Sequence, residues 1–214
     1  MFPDIHTHQP HADGTSICNV EITAARCELP VSGYLSVGIH PCYIEEDRLD
    51  SQLDNLRIAA ADPVVKLVGE CGFDARAGSE ELQERVFKEH ITLAHHLGKP
   101  LIIHCVRAFD RLMGTLLKQP PQVPVVIHGF NRAPELASQL TTHGWLLSFG
   151  TAILDPASNA ARVLAGLATP FFLETDDSGI QIEQVYTAAA KLRRTDAEEL
   201  KAVIFANWKK IGII

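Results

Sequence analysis

Six residues of metal-binding type stand at the ends of short apolar runs. The first run closes with Asp4-Ile5-His6-Thr7-His8. Side chains two apart on a strand share a face, so His6 and His8 can grip one metal ion together, with Asp4 on the same face. Alone this pair is weak, because the chain holds ten histidines. Further on, Val68-Gly69-Glu70 ends in a carboxylate, Leu101-Ile102-Ile103-His104 and Val125-Val126-Ile127-His128 each end in an imidazole, and Phe172-Leu173-Glu174-Thr175-Asp176 ends in acids. One histidine after an apolar run is more often a satisfied core group than a ligand. Two at equivalent positions of consecutive runs point to a shared site. An acid after a buried run needs a cation or hydrogen bonds to offset its desolvation, and a metal ion would supply the cation.

Together His6, His8, Glu70, His104, His128 and Asp176 exceed what one tetrahedral zinc ion uses. They suit two divalent ions, magnesium, manganese or zinc, held close together with a carboxylate between them. Glu70 is expected to be that bridge. Lys66, which could act only if carbamylated, lies four residues too early. Such a pair of ions activates water for hydrolysis, with Asp176 and Glu70 as the catalytic carboxylates and Asp176 as the base.

The elements that must position these groups are short strands alternating with amphipathic helices. Strands are expected over Phe2–His6, Ser16–Glu21, Tyr34–Ile39, Val64–Cys71, Leu101–Cys105, Val123–His128, Trp145–Phe149 and Phe171–Thr175, several announced by a proline. Helices are expected over Leu49–Ala60, Glu80–Leu97, Phe109–Leu117, Pro134–Thr142, Ser158–Leu167 and Ile182–Lys191. Ser79 caps the second of these, and Gly98 stops it. This alternation implies parallel pairing and an α/β fold, a (β/α)₈ TIM barrel, distorted and trimmed, with all six residues on its C-terminal rim. The connection from the second strand to the third is too short for a full helix. An open doubly wound sheet is the alternative, but no G-x-G-x-x-G or phosphate loop is present to support it.

Composition sets the outer bounds. With 214 residues, 46% hydrophobic and 21% charged, the chain is expected to form one domain over 1–214. Nineteen basic against twenty-six acidic residues give a net charge of −7, so no whole-molecule positive field steers a polyanion to it. No apolar run reaches membrane-spanning length, and the first residues lack the pattern of a signal peptide, which points to the cytoplasm and away from membranes. Five cysteines without C-x-x-C spacing read as reduced, mostly buried thiols. No obligate protein partner is evident.

A set of motifs extends the six residues into a longer pattern. D-x-H-x-H spans Asp4 to His8, G-x-H-P spans Gly38 to Pro41, and G-E-x-G-x-D spans Gly69 to Asp74. Q-x-x-x-F follows at Gln83 and Phe87, then Ile103-His104, H-x-F from His128 to Phe130, and E-T-D from Glu174 to Asp176. Nearly end to end, the chain resembles the TatD family of metal-dependent deoxyribonucleases, a branch of the metallo-dependent hydrolases. That resemblance implies a distorted TIM barrel, a binuclear centre on the six residues, and action on DNA ends. The chain departs from the family where Asp177-Ser178-Gly179 leads straight into a helix in place of a Pro-Tyr-Leu-Pro segment. The usual H-x-R has become His104-Cys105-Val106-Arg107.

Arg107 and His40 are the candidates for binding substrate, Arg107 as a cation for phosphate and His40 as a metal-facing or phosphate-binding group. Asp74 is expected to orient a loop, and Glu174 to support the site from below Asp176. His90, His95 and His96 read as helix-packing or surface groups, and Lys191 to Arg194 with Lys209-Lys210 as solvated helix faces. The expected substrate is DNA or another phosphodiester, cut at single-stranded or short ends. The alternatives are hydrolysis of a small amide, ester or lactone, and a non-catalytic metal-binding module.

Overall fold

Among the described residues, eight strands and seven α-helices follow one another, strand and helix alternating from the third strand to the sixth helix. The strands are β1 (Asp4–Thr7), β2 (Ser16–Glu21), β3 (Tyr34–Gly38), β4 (Val65–Asp74), β5 (Leu101–Val106), β6 (Val125–Ile127), β7 (Leu146–Phe149) and β8 (Phe171–Leu173). The helices are α1 (Leu49–Ala60), α2 (Glu80–Leu97), α3 (Phe109–Lys118), α4 (Pro134–Thr142), α5 (Asn159–Gly166), α6 (Ile182–Arg193) and α7 (Ala197–Lys210). The computed structural model describes residues 1–9, 14–25, 29–30 and 33–214. Its strands lie in one sheet in sequence order, β1 to β8, and Thr7 bridges Asp176 just past β8 in the parallel sense. This is the topology of a (β/α)₈ barrel. Among the described residues no helix lies between β2 and β3, the trimmed connection that the sequence implies.

By its internal contacts the chain divides into two compact units, Met1–Cys18 with Val126–Ile214, and Asn19–Val125. The first buries Ile5, Leu147, Phe149, Phe172, Val185 and Ile204; the second buries Leu35, Leu67, Phe73, Phe87, Ile102 and Ile103. Each such side chain removed from water contributes about 1.5–3 kcal/mol.

Local chemistry explains most boundaries. The Ser79 hydroxyl accepts from the Leu82 amide to open α2, and Gly98, with φ +64°, closes it. Ser158 caps α5 in the same way and therefore stands outside it. Helix α7 lies beyond the expected set; Asp196 caps it, and Leu200, Ile204 and Trp208 form its buried stripe.

One expectation is corrected. Glu70 does not end its strand, because β4 runs on to Asp74. The pairing with β5 shifts register between Val68 and Cys71. A side chain on Gly69 would meet the Ile102 carbonyl oxygen at 2.1 Å, and one on Gly72 would meet that of His104 at 2.2 Å. Only glycine lets β4 pass this close to β5.

Cys18 and Cys71 are buried, Cys105 is half-buried and Cys42 is exposed; Cys27 lies outside the described residues. No helix among those described is long and apolar enough to cross a membrane.

Candidate metal-binding clusters

In the first unit, His6, His8, His128, Glu174 and Asp176 gather at the ends of β1, β6 and β8. His6 and His8 lie on one face as their spacing requires, and their Nε2 atoms stand 3.5 and 3.4 Å from the same Asp176 oxygen, Oδ1. The backbone repeats the link: the Asp176 amide donates to the His6 carbonyl at 3.0 Å, and the His8 amide donates to the Asp176 carbonyl at 3.2 Å. Burial pushes the Asp176 carboxyl up, but the imidazoles of His6 and His8 and the charge of His128 outweigh it and hold the group well below the usual carboxylate range.

Glu174 is fully buried below this group. Its Oε1 accepts the Gly129 amide at 2.6 Å and lies 3.5 Å from His128 Nδ1. Its Oε2 is buried and has no hydrogen-bond partner among the described residues. Asp4, although on the histidine face, turns to protein: it accepts the Thr175 hydroxyl at 2.6 Å and the amides of His6 and Thr175 at 3.2 Å each. Burial, reinforced by the charge of Glu174, raises its pKa to about 7.

In the second unit, Glu70 and His104 are joined by His40. His104 Nδ1 lies 2.7 Å from Glu70 Oε1, and His40 Nε2 lies 3.5 Å from the same oxygen. The other nitrogen of His104 lies 3.2 Å from Asp74 Oδ2, so a second carboxylate fixes the ring's orientation. Asp74 is itself held by Arg76, whose Nε and Nη2 donate to it at 3.0 and 2.7 Å. That guanidinium keeps the Asp74 carboxyl well below its ordinary range, against the effect of burial and with help from the Arg76 amide and His104. Gln83 accepts the Asp74 amide at 2.9 Å and donates back to the Asp74 carbonyl at 3.2 Å, which gives the Q-x-x-x-F motif a structural task.

The donor sets fit divalent cations. In each cluster the nitrogen and carboxylate oxygen atoms lie within 4.8 Å of one another. Two donors each about 2.1 Å from a tetrahedral ion stand about 3.4 Å apart. The pairs His6–Asp176, His8–Asp176, His40–Glu70 and His128–Glu174 stand at 3.5, 3.4, 3.5 and 3.5 Å, long for direct hydrogen bonds. The buried Glu174 Oε2 adds an acceptor that a cation would satisfy.

Arg107 follows β5 as an exposed residue at φ +54°, a left-handed conformation that a side chain rarely adopts. Asp176 shares it at φ +53°. His90 does pack its helix to the sheet, while His95 and His96 are exposed at the end of α2. Sequence reasoning passed over Asn19 and Glu21. The Asn19 carbonyl accepts the Glu70 amide at 3.0 Å, and Glu21 accepts the His40 amide at 3.1 Å. Their signal was available, since two polar residues two apart on β2 must face the same way. Arg76, which holds Asp74, was passed over as well.

Comparisons with known proteins agree with this architecture. The model of the family described as TatD related DNase matches residues 12–211. A metal-dependent hydrolase of Methanocaldococcus jannaschii is 26% identical over 190 residues, covering 83% of this chain and 74% of that protein. The 3'-5' ssDNA/RNA exonuclease TatD of Erwinia amylovora is 28% identical over 200 residues, covering 82% and 76%. Among solved structures, the TatD homologue YjjV of Escherichia coli K12 is similar with a TM-score of 0.77 at 25% identity, covering 92% of this chain and 86% of that one. A TatD-family hydrolase of Entamoeba histolytica shares the fold with a TM-score of 0.70 at 15% identity, covering 85% and 75%.

Proposed function

The chain belongs to the TatD family of metal-dependent hydrolases, and from that premise we propose that it hydrolyses phosphodiester bonds at single-stranded or short nucleic-acid ends. The observation that carries the reading is the spacing around Asp176, where two imidazole nitrogens stand 3.5 and 3.4 Å from one carboxylate oxygen. In this proposal His6, His8, His128 and Asp176 hold one divalent ion, and Glu70 and His104, with His40 beside them, hold a second. Imidazole-rich donor sets favour zinc or manganese over magnesium. When bound, such ions lower the pKa of water and polarise a phosphoryl oxygen.

The chain's own residues do the rest. Asp176 stays ionised and its side chain is 37% exposed, so a carboxylate oxygen is available to accept the proton of the attacking water. Asp74 holds the His104 ring in one orientation, and Arg107 offsets charge on the phosphate oxygens. The TatD relatives are named as exonucleases of single-stranded DNA and RNA, which supports this substrate class. A net charge of −7 disfavours a grip on long duplexes. The five cysteines show no C-x-x-C spacing, which supports a reducing compartment such as the cytoplasm.

The test is a substrate panel with metal-replete protein: single-stranded DNA and RNA, a long duplex, a nitrophenyl phosphodiester, an amide and a lactone. Cleavage of single-stranded ends with weak action on the duplex is expected. Turnover of the amide or lactone with no phosphodiesterase activity would replace this reading by small-metabolite hydrolysis.

A further inference from the structure

Among the described residues, only one Phe, Tyr or Trp side chain is open to solvent. Every Phe and Trp is buried or half-buried, Tyr186 is sealed in the core with its hydroxyl on the Pro3 carbonyl, and Tyr34 is half-buried beneath the Lys66 ammonium at 4.9 Å. Tyr43 alone is 61% exposed. It is also the aromatic that stands beside a metal-binding cluster: its ring centroid lies 5.3 Å from that of His40, whose ring in turn lies 4.3 Å from that of His104.

The backbone beneath Tyr43 is fixed. Pro41–Tyr43 form a single 3₁₀ turn, in which the His40 ring nitrogen accepts the Cys42 amide at 3.1 Å and the Tyr43 amide donates to the His40 carbonyl at 2.9 Å. The Tyr43 carbonyl accepts from Gln52 Nε2 at 2.9 Å, and Gln52 is completely buried on α1. The backbone that presents the ring is therefore held by hydrogen bonds and needs no ordering when a ligand arrives.

We propose that Tyr43 is a stacking platform for a nucleobase of the substrate strand, seated next to the cluster formed by His40, Glu70 and His104. The proposal rests on the phosphodiesterase reading and deepens it by naming a base-binding subsite. A bare aromatic face takes any base, since each has a π-face, and so suits a sequence-tolerant enzyme of single strands. Stacked base pairs in a duplex do not offer that face.

The test compares wild type, Tyr43→Phe and Tyr43→Ala on a single-stranded oligonucleotide and on a sugar-phosphate oligomer of the same length made of abasic residues. KM and kcat are measured, and equilibrium binding of both oligomers is followed by fluorescence anisotropy. Tyr43→Ala is expected to raise KM and Kd for the base-bearing strand about tenfold, with kcat within about twofold. Tyr43→Phe should behave as wild type, and the abasic oligomer should be insensitive to all three. An unchanged KM and Kd in Tyr43→Ala, or an equal rise on both oligomers, would overturn the inference. If wild type cleaves neither oligomer the phosphodiesterase reading fails, while the anisotropy comparison still decides whether Tyr43 binds bases.

Discussion

Asp176 and His6 are joined twice, once through the backbone, where the Asp176 amide meets the His6 carbonyl at 3.0 Å, and once through side chains whose polar atoms stand 3.5 Å apart. The backbone link fixes where the carboxylate emerges, whatever its side chain carries. Asp176→Asn should therefore fold normally yet lose about a thousandfold in kcat, because an amide neither accepts a proton at neutral pH nor balances a dication. Circular dichroism and steady-state kinetics on one preparation check both halves. A rate within tenfold of wild type would remove Asp176 from the proton-accepting role.

Glu70 is 5% exposed and touches His104 at 2.7 Å. Glu70→Gln keeps the shape and removes the charge, so bound metal measured by plasma emission should drop and hydrolysis should disappear, while the melting temperature falls little. Loss of one ion per chain would confine Glu70 to the His40 and His104 cluster, and loss of two would make it a shared ligand. Full metal content with normal turnover would refute its assignment as a ligand.

Removal of metal should destabilise the protein. Binding at about 100 times Kd stabilises a native state by about 2.7 kcal/mol, which for a chain of this size corresponds to about 5–10 °C in Tm. Calorimetry after treatment with a chelator should show a fall of that order, reversed by zinc or manganese at micromolar levels and by magnesium only at far higher concentration. An unaltered Tm would mean that the donor clusters bind no ion in the native state.

His90 gives a pH dependence that is separate from catalysis. Its Nδ1–H donates to the Val86 carbonyl at 2.8 Å and its Nε2 accepts the Ile39 amide at 3.0 Å, so the buried ring is held neutral, and burial lowers its pKa to about 4. The unfolded ring takes a proton near pH 6.5, the folded ring only near 4. The stabilisation is thus complete above about 6.5 and is lost as pH falls toward 4. Between pH 7.5 and 5 wild type should lose about 2 kcal/mol more than His90→Gln. Denaturant midpoints at the two pH values measure the difference, and parallel losses would contradict it.

Much of this arrangement could be read from the sequence, and the rest could not, for identifiable reasons. His6 and His8 were legible because strand periodicity fixes their common face. His104 and His128 were legible because each follows an apolar run. Glu70 was legible as a ligand type but misplaced at a strand end, because β4 continues through a register shift that depends on how closely Gly69 and Gly72 approach β5. Asp74 gave itself away only as a loop acid; that it also meets His104 depends on pairing between β4 and β5, which no local pattern encodes. Exposure of Tyr43 is likewise a tertiary property. Helix α7 was readable from Asp196 and its Leu200, Ile204, Trp208 stripe, a pattern that the basic run before it obscured.

Among the described residues, three other than glycine have left-handed backbones, and they differ in kind. Arg194 ends α6, where that conformation is the ordinary way to close a helix. Arg107 and Asp176 close no helix, and a part in the reaction is proposed for both. A side chain in this conformation costs about 1 kcal/mol or more relative to glycine, so a chain selected for stability alone would carry glycine at 107. Arg107→Gly should raise Tm while lowering kcat/KM on phosphodiesters, whereas Lys191→Ala should leave kcat/KM near wild type. That pair of outcomes would mean that arginine at 107 keeps a guanidinium in place at the expense of a more durable protein.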